Sequence, residues 1–561
     1  MSLHLRSRHL RRLVALAATA GLLAAGCGGS GSGTQLPDDT LVVYAGVAGD
    51  FQRNFNPYAT ALMEGQGSIY EPLFFYNIAR QDEPVPRLGT EFAWNDDGTL
   101  LSITLRDGVK WSDGEDFTAD DVAFTFDMLV AHQQINAIGY DGETEVVDPT
   151  HLRVRFDEPS YMMAPQLLGK TWIVPRHIWS ATEDPVTHVV ADPVGTGPFT
   201  LGEFAPREFT LAANPGYWDG RPELRNVRYV SLSGPDAGVE AMEDGAVDWL
   251  TQPVPDLADV ENDYPGYKVI TIPMNQLVLM SCSDAGLGCR GPQTDPAVRR
   301  AIYYAMDREE VNTVAFQETG SEISPGFALP ERDAAYVSAA LGDRTAPMTA
   351  DPTAAAGILE NAGYVRGPDG IYAKDGERLA LTVRVISAWT DYVAAVTTIG
   401  EQLREVGIEL TVQQSSYVEW SEARNRGEYQ LLMDSVMQGP APDPYFVYKY
   451  FFHGENTAPV GEHANPNFAR YTNPEVDQAL DALGRLDPVT SDRRQSYYDT
   501  VQSLIEEDMP YIPILTGGTT SEFRAERFSG WPTLVNLYAF PNAWSRPDQS
   551  QIFLNLSPAE R

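Results

Sequence analysis

Carboxylates are the side chains of this chain that could most readily do chemistry, and they are dense in LRDGVKWSDGEDFTADDVAFTF, residues 105–126. Paired carboxylates can act as general acid and base or can hold a cation. The local pattern favours a scaffold instead, because the Asp-Gly pairs at 107–108 and 113–114 are typical of turns. Thr118 is placed to cap a helix whose first turn holds the acids at 120–121, where negative charge is favourable. The stretch therefore predicts a turn and a helix without a catalytic role.

Other patterns for catalysis or metal binding are weak in this sequence. The eight histidines are scattered, and His453 and His463 are ten residues apart, whereas a helical zinc site needs a spacing of four. The sequence contains no G-x-S-x-G nucleophile elbow and no P-loop. We therefore expect no enzyme activity, no cofactor and no resident metal ion.

The three cysteines fall into two groups. Cys282 and Cys289, in SCSDAGLGC, close a short loop that contains glycine, and such a pair outside the cytoplasm is typical of a structural disulfide. A redox or metal role would need closer spacing or more ligands. Cys27 stands apart at the end of LAAGC, which indicates a different use.

The N-terminus has the pattern of an export signal. Residues 1–26 combine four arginines and no acid with an apolar run at 13–23 that is too short to span a bilayer. LAAGC resembles a bacterial lipoprotein signal, which predicts cleavage before Cys27 and attachment of a diacylglyceryl group to its thiol. Residues 27–36 then form a flexible leash. An ordinary secretory signal cut nearby, or twin-arginine export through Arg11-Arg12, stays open as an alternative.

Length and charge exclude several classes of function. A chain of 561 residues exceeds what one hydrophobic core serves, so at least two lobes are expected. Its formal net charge of −38 repels nucleic acid and anionic lipid. Beyond the N-terminal run, no segment approaches 18 consecutive apolar residues. We expect an extracytoplasmic protein that is held at the cell membrane by its lipid anchor alone.

Hydrophobic periodicity predicts an α/β fold with mixed sheets. Strands are expected at 40–47, 100–108, 151–159, 379–387 and 407–414, and helices at 118–131, 295–306, 351–362, 392–406 and 491–507. Asp295 and Pro296 supply the cap and the first residue of the second of these helices. The strand–helix–strand order across 379–414 predicts parallel pairing. The lobes are expected to be joined by strands that cross between them.

A series of motifs resembles the family 5 extracytoplasmic solute-binding proteins, the oligopeptide- and dipeptide-binding components of bacterial ABC importers. Besides the acidic stretch, these motifs are FNPYAT, IYEPLFFYN, VGTGPF, NPGYW, GAVDW, DPAVRRAIYYAMDREEV, ILENAGY, YTNPEVDQAL and EDMPYIPI. The resemblance covers the chain from about residue 40 to its end. It implies a two-lobed periplasmic-binding-protein fold with an insertion subdomain and a hinge between the lobes.

The same resemblance implies a discontinuous domain organisation. Lobe I would comprise 37–69, 194–279 and 513–561, the insertion subdomain 70–193, and lobe II 280–512. The acidic stretch would belong to the insertion subdomain, away from the ligand. Ligands of the family lie between the lobes, so the resemblance directs attention to the segments of lobe II at 387–392, 415–424 and 435–446.

Two classes of ligand, a short peptide and an oligosaccharide, stay open. In peptide-binding members an Asp about three residues before an Asp-Pro dipeptide binds the ligand's α-amino group, and Pro440 holds that position here. A desolvated ammonium needs a carboxylate partner, so either Asp443 or Asp434 substitutes, or the ligand is not a free-amine peptide.

Three further motifs, AWTDY, NFARYTNPEVDQALDALGRLD and GWPTLVNLYAFPNAW, resemble the oligosaccharide-binding branch of the family. Sugar sites use aromatic platforms together with polar acceptors. The predicted ligand-binding residues are Trp389, Tyr392, Tyr417, Trp420, Arg424, Met437, Gln438, Asp443 and Met63. The aromatic residues would be platforms, Arg424 would meet a ligand carboxylate, and the two methionines and Gln438 would line the cleft. Core packing or a solvated position is the alternative for each.

The sequence thus predicts a non-catalytic binding lipoprotein. By its resemblance to the family, it would be the substrate-binding component of an ABC transporter. Its expected partners are a peptide-sized organic solute and the transmembrane subunits of a permease, and it is expected to be a monomer. A short peptide is the family default, and an oligosaccharide follows closely. The alternative is a lipoprotein of the same fold that serves as a regulatory or cell-wall assembly partner.

Overall fold

The computed structural model describes residues 37–252, 254 and 256–559. The predicted signal peptide 1–26, the lipidation site Cys27 and the leash 27–36 lie outside the described residues. The residue boundaries of the predicted lobes and insertion subdomain stay predictions.

Strands and helices alternate along the described chain. Its strands are β1 Thr40–Tyr44, β2 Phe74–Phe75, β3 Val85–Pro86, β4 Gly89–Trp94, β5 Leu100–Leu105, β6 Glu143–Asp148, β7 His151–Arg155, β8 Phe199–Ala205, β9 Glu208–Ala213, β10 Asn226–Val230, β11 Trp249–Leu250, β12 Tyr267–Ser281, β13 Val365–Arg366, β14 Tyr372–Lys374, β15 Glu377–Arg378, β16 Ala380–Ile386, β17 Glu409–Ser415, β18 Leu431–Val436, β19 Tyr511–Arg524, β20 Phe528–Ser529 and β21 Ser557–Pro558. Its α-helices are α1 Ala119–Ala131, α2 Met163–Lys170, α3 Arg176–Trp179, α4 Pro235–Glu243, α5 Val260–Asp263, α6 Pro296–Ala305, α7 Arg308–Phe316, α8 Pro352–Asn361, α9 Thr390–Val406, α10 Tyr417–Arg426, α11 Tyr445–Phe451, α12 Pro474–Gly484, α13 Arg494–Asp508 and α14 Asp548–Asn555. None of the helices in this described part has the length and apolar character needed to span a bilayer.

The largest sheet of the described residues has ten strands, in the order β17-β16-β18-β12-β19-β11-β1-β10-β9-β8. The two long strands β12 and β19 pair antiparallel with each other at its centre. The strands predicted for lobe I, β1 and β8–β11, lie on one side of this pair, and those predicted for lobe II, β16–β18, lie on the other. The predicted two-lobed α/β fold, with mixed pairing and strands that cross between the lobes, is confirmed.

Each lobe has its own hydrophobic core. The core of lobe I includes Trp249 and Tyr229, both almost completely removed from water. The core of lobe II includes Val383 and Ile399, and it continues into the separate four-stranded sheet β4-β5-β7-β6. Burial of one such large apolar side chain contributes roughly 1.5–3 kcal/mol, so these two cores hold the elements that carry the site.

The parallel β16–α9–β17 unit forms as its periodicity predicts. The two strands pair in parallel, with Ile386 opposite Ser415 at their carboxyl ends. The buried residues of α9 recur at helical spacing and pack in the core: Ala395, Val396, Ile399, Leu403 and Val406. The helix ends at Gly407, whose φ of 93° is left-handed and therefore favours a residue without a side chain.

The acidic stretch is a turn followed by α1, as predicted. The Asp121 carboxylate accepts hydrogen bonds from the backbone N–H of Thr118 at 3.0 Å and of Arg176 at 2.9 Å. It also accepts from the indole N–H of Trp111 at 3.4 Å, and this tryptophan is buried against Phe117. A carboxylate that is satisfied by three protein donors is structural, which agrees with the scaffold interpretation.

The cysteines of SCSDAGLGC are joined at the end of β12. Cys282 and Cys289 form a disulfide and are both buried. The bond closes the loop that leads from β12 toward α6, on the side of lobe II away from lobe I.

Candidate ligand-binding cleft

The carboxyl ends of the strands in the two lobes face each other. In lobe I the parallel strand β11 ends at Leu250, which is in register with Val269 of β12 across β19. In lobe II the parallel strand β18 ends at Val436, which pairs with Gln276 of β12. The two ends are separated by roughly 20 Å of strand. Ligands of open α/β sheets bind outside the carboxyl ends of strands, so the space between these edges, here called the cleft, is the candidate site.

The three segments predicted for lobe II meet at this edge. Trp389 follows β16 and precedes α9, Tyr417 follows β17 and begins α10, and Met437 follows β18 directly. The three segments that the sequence reasoning selected therefore lie at one edge of the sheet. Contact of these residues with a ligand stays a prediction.

The four predicted aromatic residues form one cluster. The ring centroid of Trp389 lies 5.2 Å from that of Tyr392, 5.8 Å from Trp420 and 6.5 Å from Tyr417. Trp389 is 37% exposed and Tyr417 58%, whereas Trp420 is 1% exposed. Trp389 and Tyr417 thus present ring surface to the solvent, and Trp420 supports them from the interior.

The Arg424 side chain is bonded to other groups within lobe II. Its guanidinium donates to the Asp434 carboxylate at 3.0 Å and lies 4.8 Å from the ring centroid of Trp420 and 4.3 Å from that of Phe468. Burial raises the pKa of Asp434, and the charge and hydrogen bond of Arg424 oppose that rise. Arg424 and Asp434 therefore balance each other's charge. This argues against binding of a ligand carboxylate by Arg424 and against binding of a ligand amine by Asp434.

Asp443 is also used inside lobe II. Its carboxylate accepts hydrogen bonds from Arg494 at 2.6 Å, from the Tyr498 hydroxyl at 2.5 Å and from the backbone N–H of Tyr445 at 2.8 Å. The residue is buried. Asp443 is thus already bonded to two side chains of α13 and to the backbone two residues away, which argues against a ligand amine there, and its ligand contact stays a prediction.

The two predicted cleft-wall methionines differ in position. Met437 is 63% exposed at the end of β18, in agreement with a place on the cleft wall. Met63 is 7% exposed and packs in the core of lobe I, where its apolar side chain is removed from water. Met63 is thus a core residue in this structure, which argues against a place on the cleft wall, and its contact with a ligand stays a prediction.

Gln438 belongs to a hydrogen-bonded junction that the sequence reasoning misses. Its side-chain oxygen accepts from Arg332 at 2.8 Å, and its amide donates to Gln276 at 3.2 Å. Arg332 also donates to Asp333 and to the backbone carbonyl of Ile78, each at 2.7 Å. The neighbouring charges of ERDAAY were the only signal in the sequence, and they do not show which distant segments they join.

Two glutamines from different parts of the fold bond to segments that are distant in the sequence. The amide of Gln81 donates to Asp333 at 3.0 Å and to the Pro442 carbonyl at 2.5 Å. Gln317, at the end of α7, donates to the Val254 carbonyl at 3.2 Å and accepts from the Leu257 N–H at 3.1 Å. These bonds tie lobe II to the segment around residue 80 and to the loop that follows β11.

Metal chemistry finds no support in the side chains of this cleft. Among the residues that the structure describes, no three His, Cys, Asp or Glu side chains are grouped so that they could hold a metal ion. The chemistry that the edge offers is ring stacking from the aromatic cluster and hydrogen bonding from neutral and acidic groups.

Comparison with known proteins agrees with this arrangement. The family model described as "Bacterial extracellular solute-binding proteins, family 5 Middle" matches residues 83–458. Protein XP55 of Streptomyces lividans is 27% identical over 450 residues, which cover 78% of this chain and 77% of that protein. The oligopeptide-binding protein AppA of Bacillus subtilis is 24% identical over 450 residues, which cover 74% and 75%.

A solved structure shares the fold over nearly the whole chain. The periplasmic oligopeptide-binding protein of an ABC transporter from Thermotoga maritima superimposes with a TM-score of 0.84 at 24% identity, covering 93% of this chain and 99% of that one. The same Thermotoga protein has also been solved with mannohexaose bound, and that form has a TM-score of 0.79.

Proposed function

The chain belongs to the family 5 bacterial extracellular solute-binding proteins, and on that premise we propose that it is the solute-binding component of an ABC importer. It captures an organic solute of peptide or oligosaccharide size in the cleft and delivers it to the transmembrane subunits of a permease. The lobes close on the solute about β12 and β19. The lipid on Cys27 anchors the monomeric chain at the outer face of the cell membrane.

The aromatic cluster is the observation that carries the choice of solute. Trp389 and Tyr417 expose ring surface beside each other at the carboxyl edge of lobe II. The flat apolar faces of sugar rings stack on such surfaces, while sugar hydroxyls bond to polar groups around them. We therefore place an oligosaccharide first among the candidate solutes.

A free peptide is the second candidate, and the names of the oligopeptide-binding relatives favour it. Its two charged ends would each need a partner of opposite charge when they leave water. Arg424 and Asp434 neutralise each other, and Asp443 is paired with Arg494. A peptide would therefore have to find both partners elsewhere in the cleft.

Thermal unfolding against two ligand panels tests this proposal. The mature chain from residue 27, with Cys27→Ser to prevent lipidation, would be heated with di- to pentapeptides and with β-linked oligosaccharides and mannohexaose. A ligand at a hundred times its Kd adds about 2.7 kcal/mol to the free energy of unfolding. We expect a raised Tm with at least one oligosaccharide and with no peptide. A raised Tm with peptides alone would reverse the order of the two candidates.

The regulatory or cell-wall assembly alternative predicts a different result. A chain that has lost its transported solute would show no raised Tm with either panel and no ligand-dependent closure in small-angle scattering. Protein that was unfolded and refolded before the measurement serves as the control, because refolding removes any solute carried over from the host.

A further inference from the structure

Asp391 differs from three other carboxylates of lobe II, Glu419, Asp434 and Asp443. The other three receive hydrogen bonds from side chains: Glu419 from Ser416, Asp434 from Arg424, and Asp443 from Arg494 and Tyr498. Among the described residues, no side chain donates to Asp391. Its only hydrogen bond outside its own residue comes from the backbone N–H of Tyr392, at 2.8 Å.

Its place in α9 gives Asp391 an ordinary structural role that must be weighed first. An acidic residue in the first turn of a helix interacts favourably with the helix dipole, and an exposed one needs no other explanation. Asp391 is not fully exposed. Burial raises its pKa above the ordinary aspartate value, and the backbone hydrogen bonds only partly oppose that rise. The helix end therefore accounts for the residue type but supplies no side-chain donor to the carboxylate.

The neighbours of Asp391 are those of the aromatic cluster. It lies between Trp389 and Tyr392 in the sequence, and those two rings are 5.2 Å apart. Its charge also contributes to the raised pKa of the Tyr392 hydroxyl, so the two groups are close enough to interact. A hydrogen-bond acceptor thus lies in the first turn of α9, two residues after the partly exposed Trp389 and close to the Tyr392 hydroxyl.

We propose that Asp391 is the ligand-binding carboxylate of the cleft, and that it accepts hydrogen bonds from hydroxyl groups of a sugar ring stacked on Trp389. This inference rests on the proposed function, because it assigns a residue to the same site. A carboxylate has two oxygens and can accept from two adjacent hydroxyls at once. A neutral, hydroxyl-rich solute satisfies Asp391 and requires no second charge from the protein.

An ammonium group is the competing partner for such a carboxylate. It would come from a peptide, whose far end carries a negative charge. The guanidinium that contacts the cluster at Trp420, that of Arg424, is bonded to Asp434 and lies against two aromatic rings. A peptide seated on Asp391 would leave its carboxylate unpaired at this edge, so the arrangement favours the sugar.

Binding of sugars to variants tests the assignment. The affinity for mannohexaose and for β-linked glucose oligomers would be measured by calorimetry for the wild-type chain, Asp391→Asn and Asp391→Ala. The matched control is Glu475→Gln, because Glu475 is also the second residue of its helix, α12, and is exposed. Loss of a hydrogen bond to a charged group should weaken binding about 10- to 100-fold in both Asp391 variants and leave Glu475→Gln unchanged.

A second measurement separates ligand contact from local distortion. The best-binding sugar would be compared with analogues in which single hydroxyls are replaced by hydrogen. An analogue that lacks the partner hydroxyl should bind wild type and Asp391→Asn with nearly equal affinity, whereas the other analogues keep the difference. A merely structural role would reduce the affinity for every analogue by the same factor.

The outcomes are distinguishable. Wild type that binds a sugar while Asp391→Asn binds it equally well overturns this inference and leaves the proposed function standing. The same penalty for every analogue also overturns it. If wild type binds none of the sugars, the proposed oligosaccharide and the role of Asp391 fail together.

Discussion

Glu522 is a buried carboxylate with an unusual environment in lobe I. It lies in β19 between Leu250 and Val269 and is fully buried. Neither of its oxygens has a hydrogen-bond partner of normal geometry among the described residues. Burial raises the pKa of Glu522 to about 8, which means that the folded chain holds this group protonated at neutral pH. Asp443 and Asp434, in contrast, each form an ion pair with an arginine.

This raised pKa makes stability depend on pH. Between about pH 4.5 and 8 the unfolded chain releases the proton of Glu522 while the folded chain retains it, so stability is lost as the pH rises through this range. Glu522→Gln removes the titration, and we expect it to be more stable than wild type at pH 8 by up to about 4 kcal/mol, with little difference at pH 4. Urea unfolding at both pH values measures this.

The control for this measurement is Glu526→Gln, just beyond β19. Glu526 is half-exposed and pairs with Arg524, so its removal should change stability little at either pH. An Asp or Glu elsewhere could produce a similar pH dependence. Equal pH dependence of wild type and Glu522→Gln would therefore contradict the assignment to Glu522.

The N-terminus of α1 illustrates how one element is fixed by a residue of its own first turn. Asp121 satisfies the Thr118 N–H, which the helix leaves without a partner, and links it to Trp111 and to the start of α3 through Arg176. Asp120, its neighbour in the same turn, is exposed and makes a long contact of 3.8 Å with Arg176. Asp121 should therefore contribute more than Asp120 to the stability of the N-terminus of α1.

This difference predicts the effect of two neighbouring alanine substitutions. Asp121→Ala leaves three donors without their acceptor in a buried position, and we expect a loss of about 2–3 kcal/mol in the free energy of unfolding. Asp120→Ala removes an exposed contact and should cost less than about 1 kcal/mol. Urea unfolding of both variants measures the effect. Similar losses of unfolding free energy in the two variants would contradict the role of Asp121 in stabilising the N-terminus of α1.

The two lobes and the segment near residue 80 are held together by a few polar contacts. Asn77 donates to the Leu537 carbonyl of lobe I at 2.7 Å, and four residues later Gln81 donates to Asp333 and Pro442 of lobe II. These contacts join segments predicted for both lobes to one short stretch of chain, 77–81. We expect them to stabilise the arrangement in which the lobes are closed on a solute.

Gln81→Ala should therefore favour the open arrangement of the molecule. Gln81 is exposed and lies outside both cores, so little stability should be lost, whereas the affinity for solute should fall about 2- to 10-fold. Small-angle scattering and calorimetry measure the opening and the affinity. The control is Gln133→Ala, since Gln133 is also exposed but bonds only to the nearby Val130 carbonyl. Equal effects of the two variants would contradict a role of Gln81 in closure.

Local interactions explain what could be predicted from the chain alone. The helix that starts after Asp295, the cap at Thr118 and the parallel β16–α9–β17 unit depend on residues a few positions apart, whose spacing is visible in the sequence. The family motifs supplied the two-lobed architecture, and through it the edge at which Trp389 and Tyr417 lie. The fold was accessible for that reason, and the site at this edge stays a prediction.

The partners of the charged and polar side chains were decided by the tertiary structure. Asp443 lies 51 residues from Arg494, and Gln81 lies 252 residues from Asp333. Such partners meet only when strand register and packing bring distant segments together, and no local period records this. For the same reason the sequence could not distinguish Asp443, whose carboxylate is bonded inside lobe II, from Asp391, to which no described side chain donates a hydrogen bond.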